Sequence, residues 1–210
     1  MEKKKTVGVI TGDLINSSLL SDAKKNLLQM ELERFQTNNS DILLPIQFYR
    51  GDSFQLMVQK EKAARIAVVI ETIVFFTTGT WARLSIGIGT VSKISPDNVL
   101  QSEGEAFQLS GHQIDKMKEE GRLIKIALKS SEYQPIFSAA FHLAESIIWS
   151  WKPGQVAVIA QIPFTKTQKE IAEKLSISEA AVSKAIKASN WQAIENFLNG
   201  YEETIKKFVS

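Results

Sequence analysis

The sequence predicts an α+β chain: a sheet domain over residues 1–130, then an all-helical domain over residues 136–210. Three observations carry this. Strand-like apolar runs alternate with helix-period runs as far as Leu128. From Phe137 onward only the helical period recurs. Between them lies a polar stretch, residues 129–134, closed by Pro135, which places the linker there.

Residues 6–10 form a short apolar run bounded by Thr11 and Gly12, which predicts a buried strand with Asp13 just past its end. Ser21 is placed to cap a helix in which Leu27, Leu28, Met30, Leu32 and Phe35 recur at helical intervals, and Asn38-Asn39-Ser40 ends it. Residues 43–50 and 53–59 read as a hairpin around Gly51-Asp52. A helix over 61–78 stops at Gly79, a strand follows over 81–91, and a helix over 104–120 closes at Gly121 before a strand over 123–128. The order β-α-β-β-α-β-α-β is that of a ferredoxin-like core with one extra helix and strand. Gly87 and Gly89 lack the third glycine of a dinucleotide fingerprint and predict close packing on the sheet.

The C-terminal part is predicted as a helix over 137–151, a break at Lys152-Pro153-Gly154, a lead helix over 155–162 and a final helix from Trp191 toward Phe208. Trp149 and Trp151 are expected in packing, and His142 in a structural or exposed place. In the final helix Ile194, Phe197, Leu198, Tyr201 and Ile205 form a stripe that serves its own core or a second subunit, with core packing preferred. Between these lies TQKEIAEKLSISEAAVSKAIK. Ile171, Ala172 and Leu175 share one helical face, Ser176 and Ile177 interrupt it, and Ser178 caps a second helix whose inner face is Ala181, Val182 and Ile186. Ile177 is apolar where the turn needs a plug into the core. This pattern, about residues 167–188, is that of a helix-turn-helix and resembles those of bacterial transcription regulators. Its outward positions Glu179, Ala180, Ser183, Lys184 and Lys187 combine base-edge readers with phosphate partners, so DNA is the expected partner. A packing hairpin is the bland alternative.

Composition is that of an ordinary globular protein, with 44% hydrophobic and 23% charged residues. The absence of cysteine excludes disulfides and thiol chemistry and agrees with a cytoplasmic location. The basic start MEKKK leads into too short an apolar run for a signal segment, and the run near residues 66–76 carries Glu71, so no membrane association is expected. Net charge is +2, all of it in residues 152–210, which is a weak basic footprint for a DNA-binding module; a homodimer would raise its affinity.

In a ferredoxin-like sheet the end of the first strand meets the hairpin between the second and third. Asp13 and Asp52 would converge there and, with the Leu14 carbonyl, form an oxygen-ligand site for Mg²⁺ that could hold a nucleotide triphosphate. Turn chemistry explains the same two residues without a ligand. Arg50 beside Asp52 could pair with it or with a phosphate.

The segments VITGDLINS, YRGDSFQLMV, ARLSIGIGTV and GEAFQLSGHQIDKM, spread over most of residues 6–128, resemble the class III nucleotide cyclase fold. That resemblance implies a nucleotide site in which Gln108 stands where the family has a ribose-orienting asparagine, and His112 where it has a transition-state arginine. Phe48 stands where cyclases place a base-recognising lysine. Histidine lacks the bidentate fork of arginine, so cyclisation is not expected, and no catalytic residue is assigned. The two-part layout resembles the SatD family of bacterial proteins, which implies a cyclase-like domain joined to a helix-turn-helix and names no reaction. The expected function is thus a cytoplasmic DNA-binding regulator whose first domain binds a metal-nucleotide or a partner. The competing expectations are a metal-dependent enzyme of nucleotide phosphoryl chemistry and a non-catalytic scaffold.

Overall fold

The computed structural model describes residues 5–130 and 132–209. The basic stretch at residues 1–4, and Ser131 of the expected linker, lie outside the described residues.

Among the described residues, six strands and eight α-helices follow in the order β1 (Thr6–Leu14), α1 (Asp22–Thr37), β2 (Ile42–Tyr49), β3 (Ser53–Val58), α2 (Ala63–Thr78), β4 (Ala82–Lys93), β5 (Glu103–Gly104), α3 (Glu105–Glu120), β6 (Ile124–Leu128), α4 (Tyr133–Trp149), α5 (Pro153–Ile159), α6 (Gln168–Leu175), α7 (Glu179–Ala188) and α8 (Trp191–Phe208). The sheet runs β2-β3-β1-β4, with every pair antiparallel. On its far side β4 takes β6 in parallel along Leu84 to Ile88, and the two-residue β5 beyond it. Pro45 sits in β2, the edge strand, where a missing N–H is tolerated and the register slips.

Strand β1 runs four residues further than the apolar pattern predicts. Polar residues end a strand only if their groups go unsatisfied, and here they do not. Thr11 donates to Ser110 Oγ at 2.9 Å and accepts from Gln55 Nε2 at 3.0 Å. At Gly12 a Cβ would lie 2.2 Å from the Phe54 ring, so the missing side chain gives that ring its place across the strand.

The two faces of the sheet are covered differently. Val7 and Val9 turn toward Ala106 of α3, and Ile10 and Leu14 toward the helices of the other face. There Leu28, Leu32 and Phe35 of α1 and most of α2 are buried, whereas Leu27 and Met30 of the same apolar series are exposed.

Helix α4 starts at Tyr133, four residues before the expected place, and carries Pro135 in its first turn, where no N–H is needed. Pro153 opens α5 in the same way. Phe137, Phe141 and Ile148 of α4, Trp151, Val156 and Ile159, and Ile194, Leu198, Tyr201 and Ile205 of α8 all join the core cluster that contains Ile10 and Phe54. The α8 stripe thus serves its own chain. Polar ties reinforce the docking: Arg65 of α2 donates to Glu195, Asn199 and Glu202 of α8, and Tyr201 donates to the Lys60 carbonyl at 2.8 Å. Trp151 is buried and donates to the Ser189 carbonyl, while Trp149 points outward at 52% exposure, against the packing expected of it. Among the described residues no helix is long and apolar enough to cross a membrane.

Candidate functional site

Two places gather the residues with chemical potential: the exposed face of α7, and the end of the sheet where β1 meets the β2–β3 hairpin.

Helix α6 is capped by Thr167, whose hydroxyl accepts from the Glu170 N–H at 3.2 Å while the Glu170 carboxylate accepts from the Lys166 N–H at 2.8 Å. It ends at Ser176, left-handed with φ of 55°, where Ile177 N–H reaches back to the Ala172 carbonyl and Ser176 N–H to the Glu173 carbonyl. This is the Schellman closure, made with serine where glycine is commoner. The chain reverses within three residues, and Ser178 then caps α7 by accepting from Ala181 N–H at 3.2 Å. Val158, Ile171, Ala172 and Val182 form a small cluster that fixes α5, α6 and α7 together. Ile177 does not plug that cluster, being 41% exposed, because the closure carries it outward; Ala181 likewise faces solvent rather than the interior. Glu179, Ala180, Ser183, Lys184 and Lys187 are all exposed on α7. Residues 152–188 carry six lysines against three glutamates.

At the sheet end, Asp13 pairs across β1–β3 with Ser53, and Leu14 N–H donates to the Asp52 carbonyl at 3.1 Å. Ser53 Oγ lies 3.4 Å from both Asp13 Oδ1 and Asp52 Oδ1, so the two carboxylates do converge. The left-handed residues of the hairpin are Arg50 and Gly51, with φ of 53° and 85°. Burial, with Asp13 and Asp52 nearby, raises the Tyr49 phenol above its ordinary value, and Arg50 opposes the shift.

The Asp13 carboxylate is already matched by cations, and that of Asp52 by a hydroxyl. Arg83 Nη1 lies 3.3 Å and Lys118 Nζ 3.5 Å from Asp13 Oδ2, and Ser17 donates to Asp52 Oδ2 at 2.7 Å. Sequence reasoning missed Arg83 and Lys118, which come from β4 and the last turn of α3. As arranged, these residues do not fit a Mg²⁺ ion: its main ligand is taken up by two positive charges. Among the described residues no three His, Cys, Asp or Glu side chains gather as a metal site.

Of the three residues expected to hold a nucleotide, Gln108 and His112 share one groove, and Arg50 is not among the residues that line it. Arg50 is exposed on the hairpin beside Asp52. Gln108 and His112 are exposed on α3 and line an open groove with Thr90, Ser102 and Gly104. Gln108 lies ten residues before Lys118, about 15 Å along the helix axis. Gly87 and Gly89 act as expected, since a Cβ at Gly87 would meet the Ala106 carbonyl at 2.2 Å and Ser110 N at 2.6 Å.

Residues 7–197 match the model of the SatD family. No curated protein matches the chain. Among solved structures, a bacterial light-regulated adenylyl cyclase is similar at 11% identity and a TM-score of 0.39, over 60% of this chain and 44% of that one. The active GGEEF domain of a diguanylate cyclase from Vibrio cholerae is similar at 18% identity and a TM-score of 0.41, over 60% of this chain and 85% of that one. A Csm1-Csm4 cassette in complex with cA3 is similar at 16% identity and a TM-score of 0.39, over 70% of this chain and 24% of that one. No residue role is carried from them to this chain.

Proposed function

The chain belongs to the SatD family, and from its own residues we propose that it is a DNA-binding regulator that inserts α7 into the major groove. The observation that carries this reading is the face of α7. A helix of ten residues is capped at Ser178 and held by Val182, and presents Glu179, Ala180, Ser183, Lys184 and Lys187 outward. In a helix-turn-helix the second helix reads base edges while the first crosses the backbone. Ser183 and Glu179 have the length and polarity to meet base edges; Lys184 and Lys187 meet phosphates.

Two copies would read paired half-sites. Ile136 and Leu143, two turns apart on one side of α4 and 62% and 70% exposed, offer an apolar strip to a second copy; Trp149, 52% exposed, lies about a third of a turn round from them. The sole charged residue of α4, Glu145, is buried, so no like charges would oppose the contact. Leu143→Lys should lower the dimer population in sedimentation measurements without changing the fold; a species unchanged from the native chain removes α4 from this role.

The test of DNA binding is fluorescence anisotropy of the full chain against a randomised duplex pool, selected across a salt series. The expected result is an enriched palindromic or repeated site whose affinity falls as salt rises. Replacing Ser183, Lys184 and Lys187 together by Ala should abolish that affinity with circular dichroism unchanged. Retained affinity in the triple variant would overturn the assignment.

A further inference from the structure

A partly enclosed cavity of about 170 Å³ lies where α1 and α2 meet the C-terminal helices. Its walls include Phe35, Ile66, Val69, Ile159, Ile162 and Trp191, contributed by both halves of the chain. Protein interiors are close-packed, and voids larger than a water molecule are few. A cavity of about 150 Å³ with aliphatic and aromatic walls is large enough for a benzene ring.

The polar groups around it decide what ring it would take. Lys62 and Arg65 line the cavity but are engaged with α8: Lys62 donates to Glu202, and Arg65 donates to Glu202, Glu195 and Asn199. Their charge is therefore matched locally, which leaves no unpaired cation for an anionic ligand. Thr72 donates its hydroxyl hydrogen to the Val69 carbonyl at 2.7 Å and keeps its lone pairs. Asp41 also lines the cavity and can only accept when ionised. Thr72 and Asp41 thus offer acceptors; Asn39, whose Oδ1 accepts from Asp41 N–H, keeps its amide donors, Glu195 is engaged by Arg65, and the rest is apolar and aromatic.

We propose that this cavity is a binding site for a neutral one- or two-ring aromatic compound bearing an N–H or O–H donor, clasped between α2 of the sheet half and α5 and α8 of the helical half. The ring stacks among Phe35, Trp191 and the aliphatic wall, and the donor meets Thr72 or Asp41. Because α5 also packs on α7, the occupied cavity biases the placement of the exposed α7 face. That coupling rests on the DNA-binding reading; the binding itself does not.

The experiment is a titration of the full chain with indole and with phenol, followed by methyl and indole N–H resonances, with benzoate as the anionic control. Saturable shifts confined to Val69, Ile66, Ile159 and Trp191, at least tenfold tighter for indole than for benzoate, are expected. Val69→Trp, and independently Ile162→Trp, fill the cavity from opposite walls and should weaken indole binding at least tenfold with the spectrum of a folded protein. Absence of saturable shifts at millimolar probe, tighter binding of benzoate, or undiminished binding in either filled, folded variant would overturn the proposal. If neither variant folds, the location and selectivity of the native shifts decide alone. Indole binding that leaves DNA affinity unchanged removes the coupling and leaves the site.

Discussion

Glu71 is a fully buried acid in the middle of α2, and its surroundings set its behaviour. One oxygen accepts from Ala82 N–H at 3.1 Å, and the other has no partner. Burial drives its carboxyl well above the ordinary value of 4.5; the Ala82 hydrogen bond opposes this, and nearby Glu145 adds to it. Above the ordinary value the unfolded chain loses this proton while the native state keeps it, so native stability falls as pH rises toward the raised value. Glu71→Gln keeps the acceptor and removes the titration. Its stability advantage over the native chain should be absent near pH 4 and grow to about 1–3 kcal/mol at pH 8 in urea unfolding; a difference that does not change with pH contradicts the assignment. Arg83 makes the complementary case. Arg83→Ala leaves Asp13 with Lys118 as its cation and should cost about 2–3 kcal/mol, while adding Asp13→Asn should recover part of the loss. Asp13 stood out in the sequence because an acid follows a buried run. Its cations did not, because Arg83 lies 70 residues away along the chain and Lys118 over a hundred, and no local period encodes a cross-strand contact.

At the scale of elements, short-range chemistry was legible wherever it decides the structure. The caps at Ser21 and Ser178 form as their hydroxyls suggest, because the acceptor and its N–H are three residues apart. Ser178→Ala should destabilise α7 by about 1 kcal/mol, seen in urea unfolding, and Ser178→Asp should restore it. The boundaries were less legible where tertiary partners override local signals, as at Thr11 and Gly12 inside β1. The packing of α3 on β4 depends on Gly87 and Gly89, which the sequence marks for close packing without naming the helix that packs there. Gly87→Ala would place a methyl against the Ala106 carbonyl and Ser110 N, backbone groups that cannot rotate away. The helix must then lift off the sheet, which should cost about 2–4 kcal/mol in thermal or urea unfolding, while Gly111→Ala, with nothing near its Cβ, should cost nothing measurable or stabilise α3.

For the whole molecule, the chain order places every strand before residue 129 and only helices after it, but the packing does not follow that division. Aromatic contacts join the C-terminal helices to one another, with Phe137 and Phe141 edge-on to Tyr201, and Tyr201 in turn donates to the Lys60 carbonyl of the sheet half. A second tie stands at Phe164, whose ring lies under the Arg34 guanidinium of α1 at 5.0 Å and the Lys174 ammonium of α6 at 5.2 Å. A polar linker in the sequence marks where a chain can turn, and it carries no information about what the following helices cover. Shared burial couples the unfolding of the parts it joins. Trp81 reports on the sheet half, and Trp151 and Trp191 on the helical half. Unfolding in urea should therefore give one coincident transition whether followed by Trp81 fluorescence in a variant with the other three tryptophans replaced by Phe, by Trp191 fluorescence in the converse variant, or by circular dichroism. Phe141→Ala, which empties the seam between α4 and α8, should lower that midpoint for every probe together, by a stability loss of about 3–5 kcal/mol. A transition that splits, with Trp81 unaffected by Phe141→Ala, would show instead that the two halves fold as independent units despite the core they share.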